Sequence, residues 1–261
     1  MFVAVIPVKN EAKSLSKVID NLPVEYLHCI IPVLNGCTDN SIHVLEQLNC
    51  PLLAPLYFTE PLGIDVPRAV GAVEAAGMGA DGILFIDGDM HGANKKILTE
   101  LVLAVQEQGL DLALTNCYPT NAKLDISPPA AGLLKVREKL NRSLQIYNII
   151  GTATPSHGPH AVSGKLIQLT SPVDFAIPPM LLAKAARSRL HIGIAAEIMH
   201  TQLGSPLRSD DHTSKITETI IGDCLSALHA NNGQIGSRCL DGQVYLGYHQ
   251  ERRLDLIGGW H

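Results

Sequence analysis

Asp87 and Asp89 stand one residue apart at the end of an apolar run, Ile83-Leu84-Phe85-Ile86. Two carboxylates at this spacing can grip a hard divalent cation, Mg2+ or Mn2+, that also holds phosphate oxygens. A bend at Gly88 lets both face one ion. The plain alternative is a surface turn, because Asp-Gly is a common turn pair. Arg68 is a second group of interest. It sits near the start of a helix rich in small residues, Gly63 to Ala76, where a solvated cation gains nothing from the helix dipole. A phosphate, or the aspartates at the end of the next strand, explains it better than solvent does. His157 and His160 lie in a polar, turn-forming stretch, Gly151 to His160. They suit an acceptor or a phosphate, or are ordinary loop histidines.

Strands alternating with helices must carry these groups. Residues 2–6 and 28–34 read as strands, each followed by a polar turn and an amphipathic helix. The first helix buries Leu15, Val18, Ile19 and Leu22; the second runs from the Asn35–Ser41 turn to Leu48. Two such units begin a parallel sheet. Asn10 and Asp39 lie at the two helix starts, where they bind phosphate or simply cap. A third strand falls around Leu52–Phe58, interrupted by Pro55, and the strand ending at Asp87 follows. Gly77 to Gly82 spells G-x-G-x-x-G, but a helix precedes it and a strand follows, the reverse of a dinucleotide site. Further on come helix 94–108, strand 110–117, a loop over 118–129, helix 133–150, strand 162–169, a turn at Pro172, helix 179–187, strand 190–196 and helix 213–229. Arg137, Lys139 and Arg142 on helix 133–150 read as a solvated face, with an anionic substrate as the alternative. The glycine-rich tail from Asn231 reads as a hairpin or a homodimer contact.

The 261 residues carry a net charge of −5, which argues against a nucleic-acid surface. No apolar run is long enough to span a membrane. The six cysteines form no close pair, against zinc and for reduced thiols. A cytoplasmic protein is expected, with peripheral membrane attachment as the alternative.

Four stretches resemble, in order, the motifs of family 2-like glycosyltransferases with the GT-A fold. They are Ile6 to Glu11, Val33 to Ser41, Gly63 to Gly71 with Arg68, and Ile86 to Asp89. The resemblance implies an α/β nucleotide-diphospho-sugar transferase fold, a mostly parallel central sheet flanked by helices. It implies one domain over 1–261, with a nucleotide-sugar half at 1–117, an acceptor half at 118–230 and a tail at 231–261. It implies a UDP- or GDP-sugar donor, a hydroxyl acceptor, and a divalent metal on Asp87 and Asp89. Pro7, Asn10, Glu11, Asn35, Asp39, Gly63, Arg68, Asp87 and Gly88 would line the donor. Leu34-Asn35 departs from the family's two acids, which leaves the base open. No acid pair precedes the helix at Pro179, so Asp174 is the nearest candidate for a catalytic base. The second half is more similar to the retaining glucosyl-3-phosphoglycerate and mannosylglycerate synthases, through its Gly-Pro loop, proline-rich turn and the spaced Leu203, Gly204, Arg208 and His212. That similarity makes His212 the third metal ligand, with His200 second.

Two other classes compete. A sugar nucleotidyltransferase would open with a glycine-rich basic loop, and Pro7–Ala12 has no glycine and one lysine. A non-catalytic nucleotide-sugar-binding protein would not need both Asp87 and Asp89.

Overall fold

Every second residue of the first strand, β1 (Phe2–Val8), points to one core and the intervening ones to another. Val3 and Val5 enter one apolar layer; Phe2, Ala4, Ile6 and Val8 enter the opposite one. Such a strand must lie inside a sheet covered on both faces. The computed structural model describes residues 1–119, 128–206, 209–234 and 236–259. In chain order β1 is followed by α1 (Leu15–Asp20), β2 (Cys29–Asn35), α2 (Ser41–Glu46), β3 (Leu56–Phe58), α3 (Val66–Gly77) and β4 (Gly82–Phe85). Then come α4 (Lys95–Gln106), β5 (Leu112–Asn116), α5 (Pro128–Ser143), α6 (Tyr147–Ile150), β6 (His160–Ser163), α7 (Gly164–Leu169) and α8 (Pro172–Phe175). The chain continues with α9 (Pro178–Arg187), β7 (Ile192–Glu197), α10 (Asp210–Asn231) and the hairpin β8 (Cys239–Leu240) and β9 (Gln243–Val244).

The seven-stranded sheet runs β3-β2-β1-β4-β6-β5-β7. All neighbours are parallel except β6, which lies antiparallel between β4 and β5. Helix α3 packs directly on β1 and β2 because Gly71 has no side chain: a Cβ there would stand 2.3 Å from Val5 Cγ1. Val66, Ala69, Ala72 and Ala75 continue that face, fully buried. Helix α4 covers the other face with Leu98, Leu101 and Val102. No described helix is long and apolar enough to cross a membrane.

The sheet and the tail hairpin match expectation, and several elements differ. Only Leu56–Phe58 forms β3, although Leu53 also bridges Ile30. The stretch 162–169 is the end of β6 and a helix, α7, whose first turn is capped by the Ser163 hydroxyl accepting from Leu166 N–H (3.2 Å). The Pro172 turn opens α8, with proline at the first helical position, where its missing N–H costs nothing. Helix 133–150 breaks into α5 and α6 at Gln145, whose φ is +60°. Of the loop expected at 118–129, residues 120–127 lie outside the described residues, as does Arg208.

Candidate active site

Parallel strands place their carboxyl ends on one edge, and ligands bind there in open α/β sheets. Here β1 delivers Asn10 and Glu11, β2 delivers Asn35 to Asp39, and β4 delivers Asp87-Gly88-Asp89. β6 runs the other way, so its start, His160, meets the end of β4 at Phe85. That reversal brings the 151–160 loop to the same edge.

The Asp87 loop is tied back to β1 by Gly88 N–H donating to Pro7 O (3.0 Å). Arg68 Nη2 donates to both Asp87 oxygens at 2.6 Å. Arg68 Nη1 pairs with Asp65, three residues earlier on the same helix start. The Arg68 Nε is buried and has no partner among the described residues. Of the three sequence explanations for Arg68, the contact with an aspartate is present, the exposed arginine is excluded at 7% exposure, and the phosphate belongs to a bound state. Asp87 faces Arg68, and Asp89 is near enough to act on both of them. Asp89 stays half-buried at the edge.

Asp65 adopts φ +62° and is held from both sides. Arg252, from the tail, donates to Asp65 (3.0 Å) and, through two nitrogens, to Asp223 on α10 (2.8 and 2.7 Å). Arg238 pairs with Asp223 as well. A chain of alternating charges thus runs from the Asp87 loop to α10. Sequence reasoning missed Asp65, Asp223 and Arg252. Asp65 had a signal, the i, i+3 spacing to Arg68; the other two are remote and had none.

The two polar turns after β1 and β2 stitch to each other. Asn10 Oδ1 accepts from Thr38 N–H (2.7 Å) and Asp39 N–H (3.3 Å). Asp39 accepts from Ala12 N–H (3.1 Å) and Ser41 N–H (2.9 Å). Burial would raise the Asp39 pKa, but the bonds from Ser41 and Ala12 outweigh it and hold the carboxyl below its usual range. Glu11 is buried, and Ser14 Oγ donates to it (3.2 Å). Asn35 Oδ1 accepts from Leu62 N–H (2.6 Å), and its amide donates to Gly63 O (3.3 Å). Asn35 therefore shapes the 62–63 loop from the β2 end.

The second half departs from expectation more. His160 is 2% exposed and stacks on Phe85 (centroids 5.0 Å), so it is a core histidine of β6 and not an acceptor contact. Burial holds it neutral, with its pKa down to about 3. His157 does reach the edge. Its Nε2 meets His200 Nδ1 at 2.9 Å, and Tyr118 stacks against both rings at 5.6 Å. Burial, with Arg137 and His200, pulls the His157 pKa well below its ordinary value. Asp174 Oδ2 accepts from Ser171 N–H (2.9 Å) and closes the first turn of α8, a capping role. His212 sits in the first turn of α10, its Nδ1 against Tyr248 Oη (2.9 Å). Among the described residues no three His, Cys, Asp or Glu side chains gather as a metal-ligand group. The triplet Asp87, Asp89 and His212 is therefore not assembled.

A divalent cation nevertheless fits the chemistry of the Asp89 corner. Burial, then Asp89 and Asp65, lift the Asp87 pKa to about 6 against the pull of Arg68. Asp65, Asp87 and Asp89 all act on Arg68, and a cation at Asp89 would add positive charge to that cluster. Hard oxygen donors of this kind suit Mg2+ or Mn2+ completed by water and phosphate oxygens.

No family model and no curated protein matches the sequence. Solved structures do match the fold. Glucosyl-3-phosphoglycerate synthase from Mycobacterium tuberculosis, in complex with Mn2+, UDP and phosphoglyceric acid, is 18% identical, over 87% of this chain and 78% of that one, at a TM-score of 0.62. Its complex with Mn2+, UDP-glucose and phosphoglyceric acid gives 17%, 87%, 79% and 0.63 in the same order. Its complex with Mg2+ and UDP gives 16%, 87%, 79% and 0.58. The chain has the GT-A fold, as its sheet order and these likenesses show.

Proposed function

We propose that the chain is a metal-dependent glycosyltransferase that moves a sugar from a nucleotide diphosphate sugar to a hydroxyl acceptor. The observation that carries this reading is the pair of Arg68 and Asp87 at the end of β4, with Asp89 beside it at the open edge of a GT-A sheet. The similar structures hold UDP or UDP-glucose with Mn2+ or Mg2+, which supports such a donor here. Asp89 would hold the cation, which supplies charge stabilisation for the leaving diphosphate. Asp87 would meet the ribose side of the donor while Arg68 fixes its orientation. The unpartnered Arg68 Nε is a donor left over for a phosphate oxygen. Retention of configuration is the favoured outcome, because Asp174, the carboxylate offered as a base, is engaged in capping α8.

A non-catalytic nucleotide-sugar binder is the second reading, favoured by the lack of a three-residue metal group among the described residues. Turnover separates the two. UDP-glucose and GDP-mannose should be hydrolysed slowly, or transferred, only with Mn2+ or Mg2+. Asp89→Ala should lower that turnover about 100-fold or more. Turnover undiminished by Asp89→Ala sinks the proposed site; binding without any turnover favours the binder.

A further inference from the structure

Of the three cations read as a solvated face of α5, Lys139 and Arg142 are exposed and Arg137 is buried. The side chain beside the Asp89 corner that no motif marked is His91, two residues further on. Its ring Nδ1 lies 3.1 Å from Asp89 O, and its main-chain N–H donates to the same oxygen (2.9 Å). A carbonyl only accepts, so Nδ1 carries the proton and donates. His91 thus supplies two donors to the Asp89 carbonyl and limits the rotation of that peptide.

His91 is itself held from two sides. Its own carbonyl accepts from Asn21 Nδ2 (3.0 Å) at the end of α1. Its ring fills the space over Gly204, whose φ is +94°; a Cβ there would stand 2.7 Å from the ring's Cε1 and 2.8 Å from Nδ1. Next to it, Gly92 N–H donates to Leu203 O (2.8 Å), and a Cβ on Gly92 would stand 1.8 Å from Gln202 O. Glycine at both positions is what lets the two loops come this close. Met90, Ala93 and Leu203 are buried in the core beneath the contact. The loop at residues 89–93 and the turn at 200–204 therefore form one clasp, with His91 as its pin. The turn starts at His200, so the clasp joins the second half of the chain to the loop that carries Asp89.

We propose that His91 is a positioning residue for the cation: its bond to the Asp89 carbonyl sets the direction of the Asp89 carboxylate, and cation affinity depends on that bond. The proposal rests on the reading of Asp89 as a cation ligand. A side chain leaves the main chain in a direction fixed by its peptide. A peptide free to turn spreads the carboxylate over several directions, and each costs coordination. Groups that orient a metal ligand by hydrogen bonding change metal affinity about 10- to 100-fold when removed.

Mn2+ binding to the full chain with saturating UDP, followed as free Mn2+ by electron paramagnetic resonance, tests this without turnover. Three variants separate the bond from the packing. His91→Asn keeps a donor where Nδ1 stands and loses the ring. His91→Phe keeps a ring over Gly204 and loses the donor. His91→Ala loses both. His91→Ala and His91→Phe should weaken the apparent Kd for Mn2+ about 10- to 100-fold. His91→Asn should stay closer to the wild type than to His91→Ala. Melting of the metal-free proteins should follow the ring instead, with His91→Phe nearest the wild type, so a loss of Mn2+ in that variant cannot come from loosened packing. Equal Mn2+ affinity in His91→Phe and the wild type overturns the proposal, as does a loss in His91→Asn as large as in His91→Ala. These two variants decide the matter even if His91→Ala does not fold. A wild type that takes up no Mn2+ refutes the cation reading and this proposal together, and is told apart from the other outcomes by the wild-type arm alone.

Discussion

At the scale of single residues, burial separates the marked side chains that reach the sheet edge from those that do not. His157 and His160 are three positions apart, yet one stands at that edge and the other stacks on Phe85 in the core. The difference has a pH signature. Unfolded His160 takes a proton near its ordinary pKa of 6.5, and the folded residue only near about 3. Between those values the unfolded chain binds more protons, so stability is lost as pH falls below 6.5. The slope is about 1.4 kcal/mol per pH unit for one histidine. His157 and His200 are shifted in the same direction and add to it. His160→Gln should flatten a urea-unfolding profile between pH 4 and 6 by roughly one proton's worth; an unchanged slope would show that His160 does not titrate on unfolding. Residue types alone had marked Asp87, Asp89 and Arg68 correctly as a neighbourhood. They could not show that Asp87 would spend both oxygens on Arg68, because that depends on the turn of α3 against β4.

At the scale of elements, the start of α3 is held by a segment far away in sequence. Gly63 has φ +88°, and a Cβ there would lie 2.5 Å from Glu251 O, so glycine is required for the tail to sit where it does. Arg253 N–H donates to Leu62 O (2.8 Å) beside it. Arg252 is fully buried between Asp65 and Asp223. Removing one partner of a buried ion pair leaves uncompensated charge, at a cost of about 3–5 kcal/mol. Arg252→Ala should therefore lower stability by that amount in urea titrations and weaken UDP binding through Asp65 and Arg68. Gly63→Ala should loosen the tail, seen as faster proteolytic cutting within residues 236–259. A tail that resists cutting equally in both proteins would show that Gly63 does not seat it. The tail hairpin was one of two readings open for the glycine-rich tail; its docking was not legible, since nothing local marks Arg252 as a partner of Asp65. The stretch 162–169 was misread for a different reason. A short apolar run fits a strand or a buried helix equally, and only the Ser163 cap separates them.

At the scale of the whole molecule, the sheet separates two cores that answer to different tests. Leu101 lies in the core under α4, while Phe85 lies in the other, against His160 and Phe175 beneath the Asp87 loop. Leu101→Ala should cost about 2–5 kcal/mol of stability and leave UDP affinity intact at low temperature; Phe85→Ala should cost about 3–5 kcal/mol and also weaken UDP. Calorimetric titration of the two variants checks this, and equal loss of affinity in both would contradict it. The parallel half of the sheet followed from the repeated strand–turn–helix units. The insertion of β6 between β4 and β5 did not, because antiparallel pairing of residues as far apart as Phe85 and His160 leaves no local trace. The bond between Asp65 and Arg252 spans 187 residues. During synthesis at about 5–20 residues per second, Asp65 waits roughly 10–40 s for that partner to be made. The start of α3, which holds Arg68 against Asp87, is then among the last parts of the molecule to settle.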